Sequence, residues 1–299
     1  MIAAVDIGGT AAKAGLFTEA GRVKELGAHR LEHLRGSPEM VQEIVRVCVA
    51  TVTAGGGEVS ALGLLVPGIV DPAARVGVSS MLLGWRNVPF GDLVQAACGV
   101  PVAVDHDVRT AARAEFTAWE QSAPSDALFV TVGTGIGAAA VIGGRIRTGA
   151  NGDGGEIAHV VVDVDGPPCP CGKRGCVEVL SSGPAIAAAY TTASSRVLDV
   201  KGIAEAARKG DPVAGTVWQR AAMHLGRAIA TYAQILDPAV VVLAGGVAAA
   251  GEQLLGPVRA VVRAQVSLPR PPRVVASRVA GGPGLAGAAM IARELLEGG

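Results

Sequence analysis

Short apolar runs that end in glycine dominate the first hundred residues. The run at 2–5 predicts a buried strand, and Gly8-Gly9-Thr10 ends it. A second strand at 14–17 returns from this turn, and the next turn follows at 21–22. A helix is predicted from Ser37 to about residue 52, because serine favours the N-cap and Pro38 the first helical position. Further predicted elements are strands at 59–66 and 102–104 and a short helix at 90–98.

The same pattern restarts at residue 127. An apolar strand at 127–132 ends in a glycine-rich turn, a second strand returns from it, and a polar excursion rich in proline and cysteine covers 163–176. Helices are then predicted at 183–190, 203–209, 212–235 and 285–296, with a buried strand at 240–243. Because both halves open with a strand, a Gly/Thr turn and a returning strand, we predict two related α/β domains with a cleft between them.

We place the domain boundary next to Asp107. The N-terminal domain then covers 1–106, and the C-terminal domain covers 107–299 and carries the cysteine-rich loop 159–178. The C-terminal helix, 285–297, is expected to pack back on the N-terminal domain.

Composition and charge narrow the class of protein. Half of the 299 residues are hydrophobic and 17% are charged, which is enough core for two modest domains. Twenty-six basic residues balance twenty-six acidic ones and form no cluster, so nothing indicates a nucleic-acid partner. Aromatic residues make up only 3%, which disfavours a base-stacking surface.

No segment has the pattern of a targeting signal or a membrane span. The first charged side chain, Asp6, follows only five residues into the sequence. The most apolar stretch, 229–250, is interrupted by Asp237 and Pro238. Three of the five cysteines, Cys169, Cys171 and Cys176, lie within eight residues, which favours a metal site over disulfides and a reducing compartment. We therefore expect a cytoplasmic protein without a membrane partner.

Two glycine-rich turns carry candidate phosphate-binding chemistry. Asp6 precedes Gly8-Gly9-Thr10, so a carboxylate that can hold hydrated Mg²⁺ stands beside backbone N–H groups that can approach phosphate oxygens. Gly133-Thr134-Gly135 repeats this arrangement, and it matches neither a dinucleotide fingerprint nor a P-loop. Either turn alone is compatible with an ordinary hairpin. Two of them, opening two similar halves, fit a phosphate chain held from both sides.

Two further groups of residues have both a functional and a plain structural interpretation. Gly245-Gly246 suits a flat ligand close to the backbone, or simply joins a strand to a helix. His159, Cys169, Cys171 and Cys176 supply one nitrogen and three sulfurs, a closed tetrahedral zinc set. The alternatives for the cysteines are free thiols in a surface loop or a disulfide between two of them.

Six motifs together give the sequence a family resemblance. They are Asp6-Ile-Gly-Gly-Thr10, Val66-Pro-Gly-Ile-Val-Asp71, Gly133-Thr-Gly-Ile-Gly137, Gly155-Glu-Ile-Ala-His159, Cys169-Pro-Cys-Gly-Lys-Arg-Gly-Cys-Val-Glu178 and Leu243-Ala-Gly-Gly-Val247. In this content and order the chain resembles the ROK family of repressors, open reading frames and sugar kinases. The resemblance implies two actin-like ATPase (ribonuclease H-like) domains that close on ATP and a hexose.

The resemblance also implies roles for particular residues. Asp107 matches the catalytic base that accepts the proton of the attacking sugar hydroxyl. The implied sugar-binding residues are Gly68, His106, Asp107, Glu156, His159 and Glu178. The implied residues for ATP and Mg²⁺ are Asp6, Gly8, Gly9, Thr10, Lys13, Gly133, Thr134, Gly135, Gly245 and Gly246. The resemblance makes Zn²⁺ structural and lets His159 bind it through one ring nitrogen while the other faces the sugar.

The chain departs from the common pattern near the sugar. His106 stands where the family often has Asn directly before the base, and Arg109 stands where Asn often follows it. Leu82, three residues before Trp85, takes the place of another Asn, and Ala11 that of a lysine. These changes affect the expected specificity for glucose, whereas the residues expected to carry phosphoryl transfer are retained.

The resemblance implies phosphoryl transfer from ATP to a hexose hydroxyl, with the 6-hydroxyl of glucose as the first expectation. N-acetylmannosamine or N-acetylglucosamine kinase is a close alternative, because the same carboxylates serve those sugars. A sugar-sensing repressor needs a helix-turn-helix before Asp6, for which the sequence leaves no room. A sugar-binding regulator without catalysis stays open because of the altered motif around Asp107. We further expect a homo-oligomer, either a dimer or a tetramer.

Overall fold

The computed structural model describes residues 1–152, 154–267, 269–279 and 282–298, with the backbone alone described at 22 and 23. The chain forms two compact units. One comprises Met1–Glu120 with Arg278–Gly299, and the other comprises Gln121–Ser277. Within the described ranges, no helix combines the length and apolar character that a membrane crossing requires.

The first unit is built on a five-stranded sheet. In chain order its elements are β1 (Ile2–Ile7), β2 (Ala11–Thr18), β3 (Gly21–Arg30), α1 (Glu39–Thr53), β4 (Ala61–Val66), β5 (Ile69–Asp71), β6 (Val76–Ser79), β7 (Arg86–Val88), α2 (Phe90–Cys98), β8 (Val102–His106) and α3 (Asp107–Thr117). The sheet order is β3-β2-β1-β4-β8, and a small sheet has the order β5-β6-β7. All residues of β4 are buried, and so are all residues of β1 except Asp6, because apolar residues dominate both strands.

Parallel pairing aligns the chemically important ends of three strands. β1 pairs in parallel with β4, and β4 with β8, so that Asp6 lies opposite Leu65 and Leu65 opposite Asp105. Asp107 follows two residues beyond Asp105, at the start of α3. The turn after β1 and the segment around Asp107 therefore leave the sheet at the same edge.

The second unit repeats this plan. Its elements are β9 (Ala127–Val132), β10 (Ile136–Ile142), β11 (Arg145–Arg147), α4 (Glu178–Ser181), α5 (Gly183–Ser194), α6 (Val200–Arg208), α7 (Pro212–Leu236), β12 (Val240–Ala244), α8 (Glu252–Gln265) and β13 (Arg273–Ala276). The sheet order β11-β10-β9-β12-β13 matches that of the first unit, with an antiparallel hairpin followed by parallel strands. The predicted repeat of two α/β halves is confirmed.

The last helix, α9 (Pro283–Glu297), belongs to the first unit and packs very closely on its sheet. A methyl group on Gly63 of β4 would come within 2.6 Å of the Ala288 carbonyl carbon, so only glycine allows this approach. Helix α3 lies against α9 as well, and Arg113 pairs with Glu294 at 2.6 Å. Because α3 is held in this way, the division falls at 120/121 and not at the predicted 106/107.

Candidate active site

The first glycine-rich turn, Gly8-Gly9-Thr10, joins β1 to β2 and is fixed by hydrogen bonds. The Gly8 N–H donates to the Ala11 carbonyl at 3.0 Å, and the Leu31 N–H donates to the Thr10 carbonyl at 2.8 Å. The Arg35 guanidinium donates from Nε to the Gly9 carbonyl at 3.0 Å. Arg35 was not identified from the sequence, because nothing near position 35 marks it as a partner of a turn 26 residues earlier.

Asp6 lies beside this turn, and it is the one residue of β1 that is not fully buried. Enclosure by the protein raises the pKa of its carboxyl group, and Lys13, its neighbour across the strand pair, opposes that shift. A methyl group on Gly284, in the first turn of α9, would overlap the Asp6 carboxylate and lie 2.7 Å from its Cγ. Gly284 therefore leaves room for the carboxylate, whose enclosure favours a cation as its partner.

Asp107 stands at the first position of α3, directly after β8. Its Oδ1 accepts a hydrogen bond from the Val108 N–H at 2.8 Å and lies 3.3 Å from Nδ1 of His106. Its side chain keeps 22% of its surface exposed, so a hydroxyl group can approach it. On the preceding strand, Asp105 Oδ1 accepts from the His106 N–H at 2.7 Å, which helps to fix the backbone before the helix.

His106 is the N-cap residue of α3, and its side chain accepts a backbone hydrogen bond as Asn does at many N-caps. Its Nδ1 accepts a hydrogen bond from the Arg109 N–H at 3.3 Å. Burial, together with the nearby Arg109 guanidinium, lowers the pKa of His106 to about 3. The ring is therefore neutral at pH 7. Because Nδ1 is the acceptor, the proton is on Nε2, and the ring can offer an N–H to a sugar hydroxyl.

The other residues that depart from the family pattern lie in the same unit. Leu82 is 37% exposed in the loop before Trp85, whereas the Trp85 side chain is buried and packs edge-on against Phe90. Arg109 is buried at 8% exposure and is not a surface residue.

Gly68 has φ 103°, and a side chain there would overlap the Ser79 carbonyl, so this position requires glycine.

The second glycine-rich turn, 133–137, comprises the connection from β9 to β10 and the first two residues of β10. The Gly133 N–H donates to the Gly135 carbonyl at 2.9 Å, and the Gly183 N–H donates to the Gly133 carbonyl at 2.8 Å. The Ile136 N–H donates to Oε2 of Glu178 at 3.0 Å. The start of α5, capped by Ser182, thus stands beside the turn. Sequence analysis predicted this helix but not its place at the site, although a Ser-Gly-Pro start is a recognisable cap signal.

Gly245 and Gly246 lie next to the same turn. Gly245 has φ 94°, and a side chain there would come within 2.5 Å of the Val132 carbonyl. The Val247 N–H donates to that carbonyl at 3.0 Å. Because β9 and β12 run in parallel, both turns leave the second sheet at one edge, where backbone N–H groups can meet phosphate oxygens.

The cysteine-rich loop gathers the four predicted metal ligands. The ligand atoms of His159, Cys169, Cys171 and Cys176 all lie within 4.8 Å of one another. The Cys169 Sγ lies 3.6 Å from His159 Nδ1, and the Cys171 Sγ lies 3.6 Å from the Cys176 Sγ. Ligands about 2.3 Å from a tetrahedral zinc ion are roughly 3.7 Å apart, so the residues fit this metal.

Backbone contacts and burial shape this ligand set. The Cys169 N–H donates to the Lys173 carbonyl at 2.8 Å, which closes the loop that carries Cys171. Gly175 has φ 63°, and a side chain there would overlap the Asp163 carbonyl. Burial raises the pKa of the Cys176 thiol to about 12. A divalent cation replaces such a thiol proton when it binds, so its affinity falls as the pH falls.

The proposed sugar residues of the second unit belong to two neighbouring segments. Glu156 is exposed, and Gly155 before it, at φ 98°, packs on the Ala138 carbonyl. The Glu178 N–H donates to the Ala158 carbonyl at 3.1 Å, one residue before His159. His159 directs Nδ1 at the cysteines, which leaves Nε2 as the ring nitrogen for another partner.

Two sheets of equal strand order, each with a glycine turn at the carboxyl edge of its parallel strands, define a protein with the actin-like ATPase fold. This chain is similar to a crystal structure of a ROK family glucokinase from Streptomyces griseus in complex with glucose and AMPPNP. The comparison gives a TM-score of 0.85 and 31% sequence identity. The alignment covers 97% of this chain and 98% of that one.

Sequence comparison then gives the family. The ROK family model matches residues 2–295, and the chain belongs to the ROK family. A glucokinase from Thermotoga maritima is 32% identical, with 98% of each chain covered. An N-acetylmannosamine kinase from Yersinia pseudotuberculosis is 30% identical, again with 98% of each chain covered. The family resemblance drawn from the sequence motifs is confirmed.

Proposed function

We propose that this chain transfers the γ-phosphoryl group of ATP to the 6-hydroxyl of glucose. The glucokinases from Thermotoga maritima and Streptomyces griseus are similar over nearly their whole length and support an ATP-dependent sugar kinase. The observation that carries the proposal is the position of Asp107. It is a partly exposed carboxylate at the start of α3, on the sheet edge that also holds Asp6 and the first glycine turn.

Asp107 is the general base in this proposal. It accepts the proton of the sugar hydroxyl while the oxygen of that hydroxyl attacks the γ-phosphorus. The Val108 N–H and the cap formed by His106 hold the carboxylate in one orientation, which reduces the reorganisation needed at the moment of transfer.

The two glycine turns hold the phosphates. Backbone N–H groups of 8–10 and 133–135 stabilise their negative charge, Lys13 adds a positive charge, and Gly245 and Gly246 leave room for the flat part of the nucleotide. Asp6 would hold hydrated Mg²⁺, which would supply positive charge to neutralise the transferred phosphoryl group. His159, Cys169, Cys171 and Cys176 would hold a structural Zn²⁺, which would fix the loop that carries His159 and Glu178.

The sugar-binding residues of this proposal are Gly68, His106, Asp107, Glu156, His159 and Glu178. The carboxylates accept hydrogen bonds from hydroxyl groups, and Nε2 of His106 donates one. A homo-oligomer and a cytoplasmic location remain predictions.

A second candidate is N-acetylmannosamine kinase. The similar kinase from Yersinia pseudotuberculosis makes the sugar class plausible for this chain. The observation that favours it is Leu82, an exposed apolar side chain in place of an amide that would bind a hydroxyl. A methyl group, such as that of an N-acetyl substituent, packs on leucine at no hydrogen-bonding cost.

The test is a coupled kinase assay with glucose, mannose, N-acetylmannosamine and N-acetylglucosamine. Asp107→Asn keeps the size of the side chain but cannot take the proton, so we expect turnover to fall about 10²–10⁴-fold while glucose still binds. Asp105→Asn, which retains an acceptor for the His106 N–H, is the matched control and should keep most activity.

Two results would contradict the proposal. Near-normal turnover of Asp107→Asn would assign the base to another carboxylate. A wild-type protein that binds sugar but transfers no phosphate to any member of the panel would be a sugar-binding regulator.

A further inference from the structure

Glu178 lies in direct contact with the second glycine turn. Its Oε2 accepts the hydrogen bond from the Ile136 N–H at 3.0 Å. A methyl group on Gly135 would come within 2.9 Å of the same oxygen, so the carboxylate fills the space beside this glycine. A carboxylate that was predicted to bind sugar thus contacts the turn that was predicted to bind phosphate.

A second bond joins the same segment to the turn. Helix α4 is a single turn that begins at Glu178, and the Ser182 N–H donates to the Glu178 carbonyl at 3.1 Å. Directly after it, the Gly183 N–H donates to the Gly133 carbonyl at 2.8 Å. The segment 178–183 is therefore bonded to the turn at Gly133 and at Ile136, so a shift of either one strains these two hydrogen bonds.

The sugar side is connected to this segment through the backbone. The Val177 N–H donates to the Val160 carbonyl at 3.0 Å, and the Glu178 N–H donates to the Ala158 carbonyl at 3.1 Å. These two bonds enclose His159, a proposed contact of the sugar. A displacement of His159 or Glu178 is therefore transmitted to 133–137 over two or three bonded residues.

We infer that Glu178 couples sugar binding to ATP binding, because its carboxylate sets the conformation of the turn 133–137. This inference rests on the proposed kinase function. A carboxylate offers about four lone pairs, so Oε2 keeps the Ile136 N–H while the remaining acceptors receive a sugar hydroxyl. Sugar binding restricts the carboxylate and with it the turn, so the nucleotide meets a site that is already ordered.

The experiment measures binding and not turnover. Calorimetry gives the Kd of AMPPNP with Mg²⁺, without sugar and with saturating glucose or N-acetylmannosamine, whichever the wild type binds. We expect sugar to tighten AMPPNP binding at least 3-fold in the wild type. In Glu178→Ala, AMPPNP alone should bind about 10-fold more weakly, as loss of one charge-assisted hydrogen bond predicts, and sugar should no longer change its Kd.

Three variants separate this role from simple loss of sugar binding or loss of structure. Glu178→Gln keeps an oxygen for the Ile136 N–H, so AMPPNP affinity without sugar should stay within about 3-fold of wild type. Glu205→Ala removes a surface carboxylate of α6, paired with Arg208 and Lys209, that has no role in the proposal, and it should leave both that affinity and its response to sugar unchanged. Gly135→Ala displaces the Glu178 carboxylate and should weaken AMPPNP binding like Glu178→Ala. It also supplies the test if Glu178→Ala does not fold.

Wild-type AMPPNP affinity in both Glu178→Ala and Gly135→Ala, or sugar coupling that persists in them, would overturn the inference. So would the absence of coupling in the wild type. The kinase proposal is judged separately, by wild-type turnover with the sugar panel, so the two can fail independently.

Discussion

His106 makes the stability of the first unit depend on pH. Its side chain is 16% exposed, and its folded-state pKa is about 3 against an ordinary value of 6.5. The Asp107 Oδ1 lies 3.3 Å from its Nδ1, Asp105 accepts from its backbone N–H, and Arg109 follows it in α3. Below pH 6.5 the unfolded chain takes up a proton that the folded chain refuses, so acid favours unfolding.

The size of the effect follows from the interval between the two pKa values. Each pH unit below 6.5 costs about 1.4 kcal/mol of the free energy of unfolding, until the folded group titrates near pH 3. At pH 5 the loss from this one side chain is about 2 kcal/mol, which lowers the Tm of a unit of this size by roughly 6 °C.

The assay compares wild type with His106→Asn by thermal unfolding at pH 7.0 and pH 5.0. Asn can still cap α3 but cannot titrate, so all other acid-sensitive groups are shared by the two proteins. We expect the wild type to lose about 6 °C more than the variant between the two pH values. If both lose the same amount, the imidazole is not held neutral in the folded protein and the reasoning is wrong.

Three further predictions concern metal, specificity and packing. Purified, reduced protein should contain about one zinc per chain by metal analysis, and Cys171→Ser should lose the metal and stability while Cys98→Ser keeps both. A zinc-free wild type would reject this. Leu82→Asn with His106→Asn should lower the glucose KM, since an unpaired buried hydroxyl costs about 1–3 kcal/mol. An unchanged KM would make these departures neutral. Gly63→Ala, which places a methyl group 2.6 Å from the Ala288 carbonyl carbon, should cost at least about 2 kcal/mol in urea unfolding. Gly256→Ala in α8, where a methyl group meets nothing within 4 Å, should cost none, and equal losses would contradict the packing argument.

Burial decides which elements could be predicted from the sequence. The strand at 127–132 and the helix at 90–98 have the predicted bounds, because an apolar run or an apolar face marks each of them. Strand β3 was not predicted, because the sequence indicated only a turn at 21–22, where this strand begins. It is an edge strand whose described side chains are mostly exposed, so it lacks the alternation that reveals a half-buried strand.

At the candidate site, local motifs were predictable and distant contacts were not. The four candidate ligands of the cysteine loop lie within eighteen residues of sequence, and their types alone indicate the set. The bond from Arg35 to Gly9 and that from Ile136 to Glu178 join residues 26 and 42 positions apart. Such pairs depend on how sheets and loops fold together, which no local pattern records.

The return of α9 to the first sheet has a consequence for biosynthesis. The second unit, Gln121–Ser277, is contiguous, so all of its residues leave the ribosome before α9 does. The first unit is synthesised first but cannot bury Gly63 or enclose Asp6 until Gly284 and Ala288 emerge. Domains usually fold in the order of synthesis. Here the N-terminal unit is completed only after the second unit has been synthesised, so a nascent chain exposes the apolar face of its first sheet that α9 covers until that helix emerges.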